Sequence, residues 1–285
     1  LIETPFSFRV RLQVLKDMKL IVTSEGLISA DEYSETSSDT ENSVYEVLRV
    51  IEGVALFAED HYARLTNSVR LQGLNYRLSL AEFKMHINEL ISSNKQTIGN
   101  VKFTCSASKG QISWIYRYIH HRYPEPQEYI NGVCTDLLFA ERNNPNAKVV
   151  QSDLRNMANQ QMEVANLSEV LLVNQEGKIT EGSRSNVFLI KSGTLYTAPT
   201  SMVLEGVTRQ KVMQCCRKLG LQVIEQAVDV DSLAEFDAAF ISGTSPKVLP
   251  VRLIGDRQFD VDNRAMRQIM LAYNQLIQAY IRKYC

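Results

Sequence analysis

A chain of 285 residues, 45% of them hydrophobic and 22% charged, carries enough apolar material for one large core or two moderate ones, which argues against a disordered polymer. Its 31 basic and 32 acidic side chains are spread along the chain, and the net charge of −1 leaves no electrostatic footprint for nucleic acid or an acidic membrane surface. A small molecule is the expected ligand.

Five cysteines, Cys105, Cys134, Cys215, Cys216 and Cys285, are odd in number, lack CxxC spacing and include an adjacent pair. Free thiols in a reducing compartment fit that pattern, so a cytoplasmic address is expected. No apolar run reaches membrane-spanning length, and the stretch Phe6 to Leu12 is interrupted by arginine too early for a secretory signal. The chain starts at Leu1, from which loss or trimming of an initiator residue is expected.

In chain order, a polar loop at Ser34 to Ser43 precedes an alternating strand at Tyr45 to Val50, followed by a turn at Ile51 to Val54. A helix then begins near Asp60 and carries His61, Arg64 and Leu65. A second, Ser79 to Ser93, presents Leu80, Phe83, Met85, Ile87 and Leu90 as its apolar face. Strands follow at Val101 to Ala107 and Ile112 to Ile119. Two prolines and several charges at His120 to Glu128 predict an extended segment, so the reading is a small amino-terminal domain over 1–123, a linker over 124–130 and a larger domain over 131–285.

The larger domain opens with a strand at Val133 to Ala140, a polar turn at Arg142 to Asn146, and a helix at Leu154 to Asn166 with Met157, Gln161 and Val164 in phase. A hairpin over Val170 to Thr180 turns at Asn174 to Gly177. A helix at Thr208 to Leu219 stops at Gly220, and a final helix over Asn263 to Tyr284 repeats apolar residues at Met266, Ile269, Met270, Tyr273, Leu276, Ile277 and Tyr280. Periodicity alone gives mixed α and β. No internal repeat is visible, and His86, His120 and His121 have no metal-ligand spacing, so no metal is expected.

Chemistry concentrates in three segments: Thr180-Glu-Gly-Ser-Arg-Ser-Asn-Val-Phe188, Leu204-Glu-Gly-Val-Thr-Arg209 and Phe240-Ile-Ser-Gly-Thr-Ser245. Glu181 at a strand end can pair with a heteroaromatic nitrogen, or it is an ordinary surface glutamate at the end of a hairpin. Gly206, Val207 and Thr208 stand before a helix, where close backbone approach, unpaired N–H groups and a hydroxyl make an anion site. Thr208 is equally placed as a plain helix cap. The loop Ser242-Gly-Thr-Ser-Pro246, with Gly243 and Thr244 at its centre, is either a plain turn or a second set of phosphate or carboxylate donors.

Together these segments resemble the fold-type IV, class IV pyridoxal-phosphate aminotransferases, a family that includes branched-chain and D-amino-acid aminotransferases and aminodeoxychorismate lyase. Glu181, Asn186, Val187 and Phe188 match one part of its motif, and Gly206 to Arg209 the other. The resemblance implies an α/β (α+β) fold of two domains, a small α/β domain and a larger β-barrel-like one with helices. It implies that Glu181 contacts the pyridine nitrogen, that Asn186, Val207, Thr208, Gly243 and Thr244 hold the cofactor, and that Arg64 binds its phosphate. Tyr45 would face the active site. In the family a lysine ends a strand, and a helix and the glutamate hairpin follow it; Lys148 stands in that place and is the expected covalent nucleophile.

The implied activity is transamination between an amino acid, of branched-chain type or a related donor, and a 2-oxo acid. A pyridoxal-phosphate lyase and a catalytically inactive binding protein of the same fold are the alternatives. Departures bear on the substrate. The usual loop ahead of Tyr45 is replaced by Ser34 to Asn42, and Ser106 to Ile112 offers only Lys109 where D-amino-acid enzymes carry arginine and histidine. An L-amino acid or an unusual donor is therefore expected over D-alanine. After the lysine stand Gln151, Ser152 and Asp153, where many members carry asparagine and tyrosine. A homodimer is expected, as in the resembled enzymes.

Overall fold

The computed structural model describes residues 20–33, 43–108 and 111–284. The readings of Phe6 to Leu12, of residues 34–42 in the polar loop, of Lys109 and of Cys285 lie outside the described residues. The chain divides into two compact units, Leu1–His121 and Arg122–Cys285.

The first unit contains β1 (Leu20–Thr23), β2 (Gly26–Ser29), β3 (Val44–Ile51), β4 (Val54–Ala55), α1 (Ala58–Leu71), α2 (Leu80–Asn94), β5 (Gly99–Ser108) and β6 (Gln111–Ile119). Its strands form an antiparallel sheet in the order β2-β1-β6-β5-β3-β4. In β3, Val44, Glu46, Leu48 and Val50 are buried and the residues between them only half so, because successive side chains point to opposite faces. Glu52 and Gly53 both take positive φ, 53° and 78°, the conformation a two-residue hairpin turn needs.

Helix α2 starts at a reciprocal cap between Ser79 and Glu82 and buries Phe83, Ile87, Leu90 and Ile91. Met85, read as part of that face, is 53% exposed instead. Two residues on from Phe83 it lies roughly 200° round the helix, on the solvent side. Phe83 meets Phe103 and Tyr116 at ring-centroid distances of 6.2 and 5.9 Å in the centre of the unit.

The second unit contains α3 (Pro126–Asn131), β7 (Val133–Phe139), α4 (Ser152–Val164), β8 (Glu169–Val173), β9 (Lys178–Gly182), β10 (Asn186–Lys191), β11 (Thr194–Thr197), α5 (Val207–Leu219), β12 (Val223–Glu225), β13 (Val228–Asp229), β14 (Ala238–Gly243), β15 (Lys247–Ile254), β16 (Arg257–Gln258) and α6 (Arg264–Ile281). Nine strands run in the order β12-β11-β10-β14-β15-β7-β8-β9-β13, and β16 pairs with β15. The pairs β7–β8, β7–β15 and β11–β12 are parallel and the others antiparallel. Strand β8 is buried along its whole length. Leu171, Val187, Ile241, Leu249 and Val251 belong to one core cluster, while α5 and α6 pack on each other and on β14 and β15.

Two local readings are corrected. The segment read as extended linker holds α3, because Pro126 sits in the first helical turn and Glu125 and Glu128 cap one another reciprocally. Arg267 then caps the other end through the carbonyls of Tyr129 and Ile130, at 2.6 and 2.9 Å. In α4, Met157 and Val164 are 49% and 82% exposed, whereas Ala158 is buried and Gln161 donates to the Leu137 carbonyl at 3.0 Å. The inward stripe is offset by one residue from Met157, about 100° of rotation.

Candidate active site

Asn174 organises the hairpin that carries Glu181. Its side chain accepts from the N–H groups of Glu176 and Lys178 at 3.1 and 2.8 Å, and Gly177 supplies the positive φ of the turn. Strand β9 then delivers Glu181 into the unit, where it is buried. Arg142 donates Nε–H to its Oε1 at 2.8 Å, and the Leu204 N–H donates to Oε2 at 3.1 Å. Asn186 Nδ2 stands 3.4 Å from the same oxygen. Burial pushes the Glu181 carboxyl upward; the Arg142 guanidinium, the Leu204 N–H and the charge of Lys148 pull it back, and burial prevails. Lys148 thus lies within electrostatic reach of Glu181.

Lys148 is half-buried, on the irregular segment between β7 and α4. Asn144 turns that segment with φ 51°, Ala147 N–H donates to the Asn144 carbonyl, and Gln151 bonds across to the Asn143 carbonyl.

Asn186 opens β10 and donates to the Leu204 carbonyl at 2.9 Å, which fastens the approach to α5 against the Glu181 carboxylate. The next turn demands glycine: a Cβ at Gly206 would sit 2.1 Å from Asn186 Oδ1. Gly206 is the residue before α5, which has no side-chain cap and no acidic residue in its first turn. Val207 and Thr208 are buried there. Open N–H groups, the positive end of the helix dipole and a hydroxyl together suit an anion.

The third segment is the β14–β15 hairpin. Ser242 pairs with Asn186 across the strands, so both side chains share a face, and Ser242 Oγ is buried with no partner among the described residues. Gly243 pairs with Lys247, and half-buried Thr244 begins the turn between them.

In the second unit hydrogen bonds thus link Glu181, Asn186 and the approach to α5, strand pairing sets Ser242 beside Asn186, and the charge of Lys148 acts on Glu181. Tyr45 and Arg64 belong to the first unit. There Arg64 grips buried Glu46 with two parallel bonds, Nε to Oε1 and Nη2 to Oε2, both 2.8 Å, and His61 Nδ1 lies 2.8 Å from Oε2. Burial alone would raise the Glu46 carboxyl, but Arg64 and His61 outweigh it and bring it from 4.5 down to about 2. Tyr45, one residue along β3, lies on the opposite face of the sheet, with Lys102 Nζ 5.2 Å from its ring centroid.

Two residues that hold these side chains have no assigned role in the sequence reading: Glu46 and Arg142. Glu46 was findable, being a carboxylate at a core position of an alternating strand, with His61 and Arg64 one turn apart on the next helix. Arg142 carried no local signal beyond a polar turn. Among the described residues there is no metal-binding cluster and no helix long and apolar enough to cross a membrane, and Cys105, Cys134, Cys215 and Cys216 are free.

A family model for amino-transferase class IV matches residues 43–254, well over half of the chain. The chain belongs to the class IV aminotransferases, enzymes that in general depend on pyridoxal phosphate. It is similar to a D-alanine aminotransferase of Bacillus licheniformis, 29% identical over 260 residues covering 85% of this chain and 88% of that one. It is also similar to a Thermotoga maritima protein named a probable branched-chain-amino-acid aminotransferase, 28% identical over 252 residues, 81% of this chain and 84% of that one. The fold superposes on the branched-chain aminotransferase of the archaeon Thermoproteus uzoniensis, solved with norvaline, with a TM-score of 0.81 at 23% identity, covering 93% of this chain and 97% of that one.

Proposed function

We propose that this chain is a pyridoxal-phosphate-dependent aminotransferase that moves an amino group from an amino acid to a 2-oxo acid. One observation carries the reading: a buried carboxylate, Glu181, stands within electrostatic reach of Lys148 and is tied through Asn186 to an uncapped helix amino terminus. The residues fit the cofactor. The orphan Ser242 hydroxyl, the cradle that a Cβ at Gly206 would fill and the donors at Val207 and Thr208 suit a phosphate, while Glu181 suits a protonated ring nitrogen.

When bound, the cofactor supplies an electron sink for a carbanion formed at the substrate α-carbon. Lys148 would hold the cofactor covalently, and its amine would serve as the acid and base that moves a proton at the substrate α-carbon. Glu181 would pair with the ring nitrogen and favour its protonated form, and Arg142 holds that carboxylate in place. Asn186, Gly243 and Thr244 fix the surrounding turns. Within the first unit, Glu46 holds the Arg64 guanidinium through two bonds, and Tyr45 stands on the other face of β3.

The amino donor in this reading is an L-amino acid of branched-chain type, the activity for which the Thermotoga relative is named. Its preference over D-alanine has support in the first unit. Strands β5 and β6 stay paired as far as Ser108 and Gln111, and Ser106 and Ser113 bond across them at 2.9 Å. Paired strand residues, rather than an arginine and histidine loop, occupy Ser106 to Ser108 and Gln111 to Ser113. A two-fold homodimer completes the reading, in keeping with the commonest symmetry of soluble oligomers.

Borohydride reduction of the protein loaded with pyridoxal phosphate, followed by peptide mapping, should place the adduct on Lys148. An adduct on another lysine, or no imine absorbance at all, defeats the reading. A donor panel with 2-oxoglutarate separates transamination from lyase chemistry, and strong D-alanine turnover would reverse the assigned handedness. Light scattering that finds an active monomer would remove the dimer.

A further inference from the structure

The carboxylate of Glu169, at the start of β8, is buried, and among the described residues no cation meets it. Four neutral donors satisfy it instead. Ser183 Oγ donates to Oε1 at 2.6 Å and the Val170 N–H to the same oxygen at 3.0 Å; Ser185 Oγ and the Arg184 N–H donate to Oε2 at 2.8 and 3.2 Å. Three of the four come from the turn that joins the Glu181 strand to the Asn186 strand.

That turn is built over the carboxylate. Gly182 N–H donates to the Ser185 carbonyl at 2.7 Å, and Ser183 N–H to the Val170 carbonyl at 3.0 Å. A Cβ at Gly182 would lie 2.1 Å from Ser185 Oγ and 3.0 Å from Glu169 Oε2. The Ser183 carbonyl shares a planar peptide unit with the Arg184 N–H, so the bond from that N–H to Glu169 fixes the carbonyl too. Arg142 Nη2 donates to that carbonyl at 3.0 Å while its Nε donates to Glu181 at 2.8 Å. A continuous series of bonds thus joins Glu169 to Glu181 through Ser183 and Arg142.

We propose that Glu169 is a positioning residue: it sets the Gly182–Ser185 turn and, through the Ser183 carbonyl and Arg142, the aim of Glu181 at the cofactor ring nitrogen. The role rests on the functional reading given above. A carboxylate is required because all four partners are donors, and only an ionised acid accepts throughout. The amide of glutamine would turn an NH2 group against at least one hydroxyl or N–H.

The test measures equilibrium binding of pyridoxal phosphate and of its 1-deaza analogue, which lacks only the ring nitrogen, to the cofactor-free protein. Wild-type protein should prefer the nitrogen-bearing molecule by on the order of tenfold, the scale of one charge-assisted hydrogen bond. In Glu169→Gln that preference should fall toward unity. Equal weakening of both molecules, with the ratio unchanged, would show a purely structural role and overturn the proposal. Should Glu169→Gln fail to fold, Ser183→Ala decides, since it removes one link and keeps the carboxylate; an unchanged ratio there overturns the proposal as well. Wild-type protein that binds both molecules equally leaves the cofactor reading standing and removes this role, whereas wild-type protein that binds neither defeats the functional reading itself.

Discussion

Arg142 holds Glu181 from the side, its Nε 2.8 Å from Oε1 and its Nη2 3.0 Å from the Ser183 carbonyl, with both side chains almost closed to solvent. The guanidinium both neutralises the buried acid and fixes its rotation. Arg142→Ala should destabilise the protein by about 3–5 kcal/mol, the usual cost of stranding one member of a buried pair. Arg142→Lys should recover part of the charge but not the two-point geometry. Urea unfolding checks both, and a loss below about 1 kcal/mol in the alanine variant would show that the pair does not matter.

Glu181→Gln should still take up pyridoxal phosphate, because the donors that the proposed reading assigns to the phosphate, at Val207 and Thr208, are untouched. Turnover should fall by about a hundredfold or more, as when other preorganised electrostatic partners are removed. Near-normal kcat would rule out the role assigned to this carboxylate.

The clamp in the first unit predicts a pH dependence. A carboxyl lowered from 4.5 to about 2 contributes stability that is fully present above pH 4.5 and is lost as pH falls toward 2. The contribution is about 3 kcal/mol, at roughly 1.4 kcal/mol for each tenfold change in proton affinity. The difference in urea midpoint between the wild type and Glu46→Gln should therefore shrink across that window. A difference that is flat from pH 6 to pH 2.5 would contradict the assignment to Glu46.

Gly206→Ala places a methyl group 2.1 Å from Asn186 Oδ1, so Asn186 or the start of α5 must move. The expected cost is about 1–3 kcal/mol of stability, with weaker cofactor uptake. Thermal melts and absorbance titrations measure the two effects separately. If Asn186→Ala fails to relieve the Gly206→Ala defect, the clash is not its cause.

The elements of the site that the sequence displayed are those made from contiguous residues. Glu181 to Phe188 and Gly206 to Arg209 carry their chemistry in one run, and the turn at Asn174 to Gly177 announces the strand before them. What stayed hidden depends on distance along the chain. Arg142 and Glu181 are 39 residues apart, and nothing local to either names the other. Strands such as β14 were read only as loops or motifs because a strand buried on both faces is a continuous apolar run without alternation. The exposed Met157 and Val164 show the opposite failure, an apolar phase that the packing did not use.

Strand β7 pairs in parallel with β8 on one side and with β15 on the other, in the register Val133 to Val251. More than a hundred residues must leave the ribosome between those two partners before that edge of β7 finds its mate. Until then its N–H and C=O groups remain open to other strands, and a nascent or truncated chain ending short of residue 254 exposes an adhesive border. Non-local parallel pairing of this kind is slow, so a chain that ends before β15 is complete carries an unpaired, aggregation-exposed edge even with its catalytic groups intact.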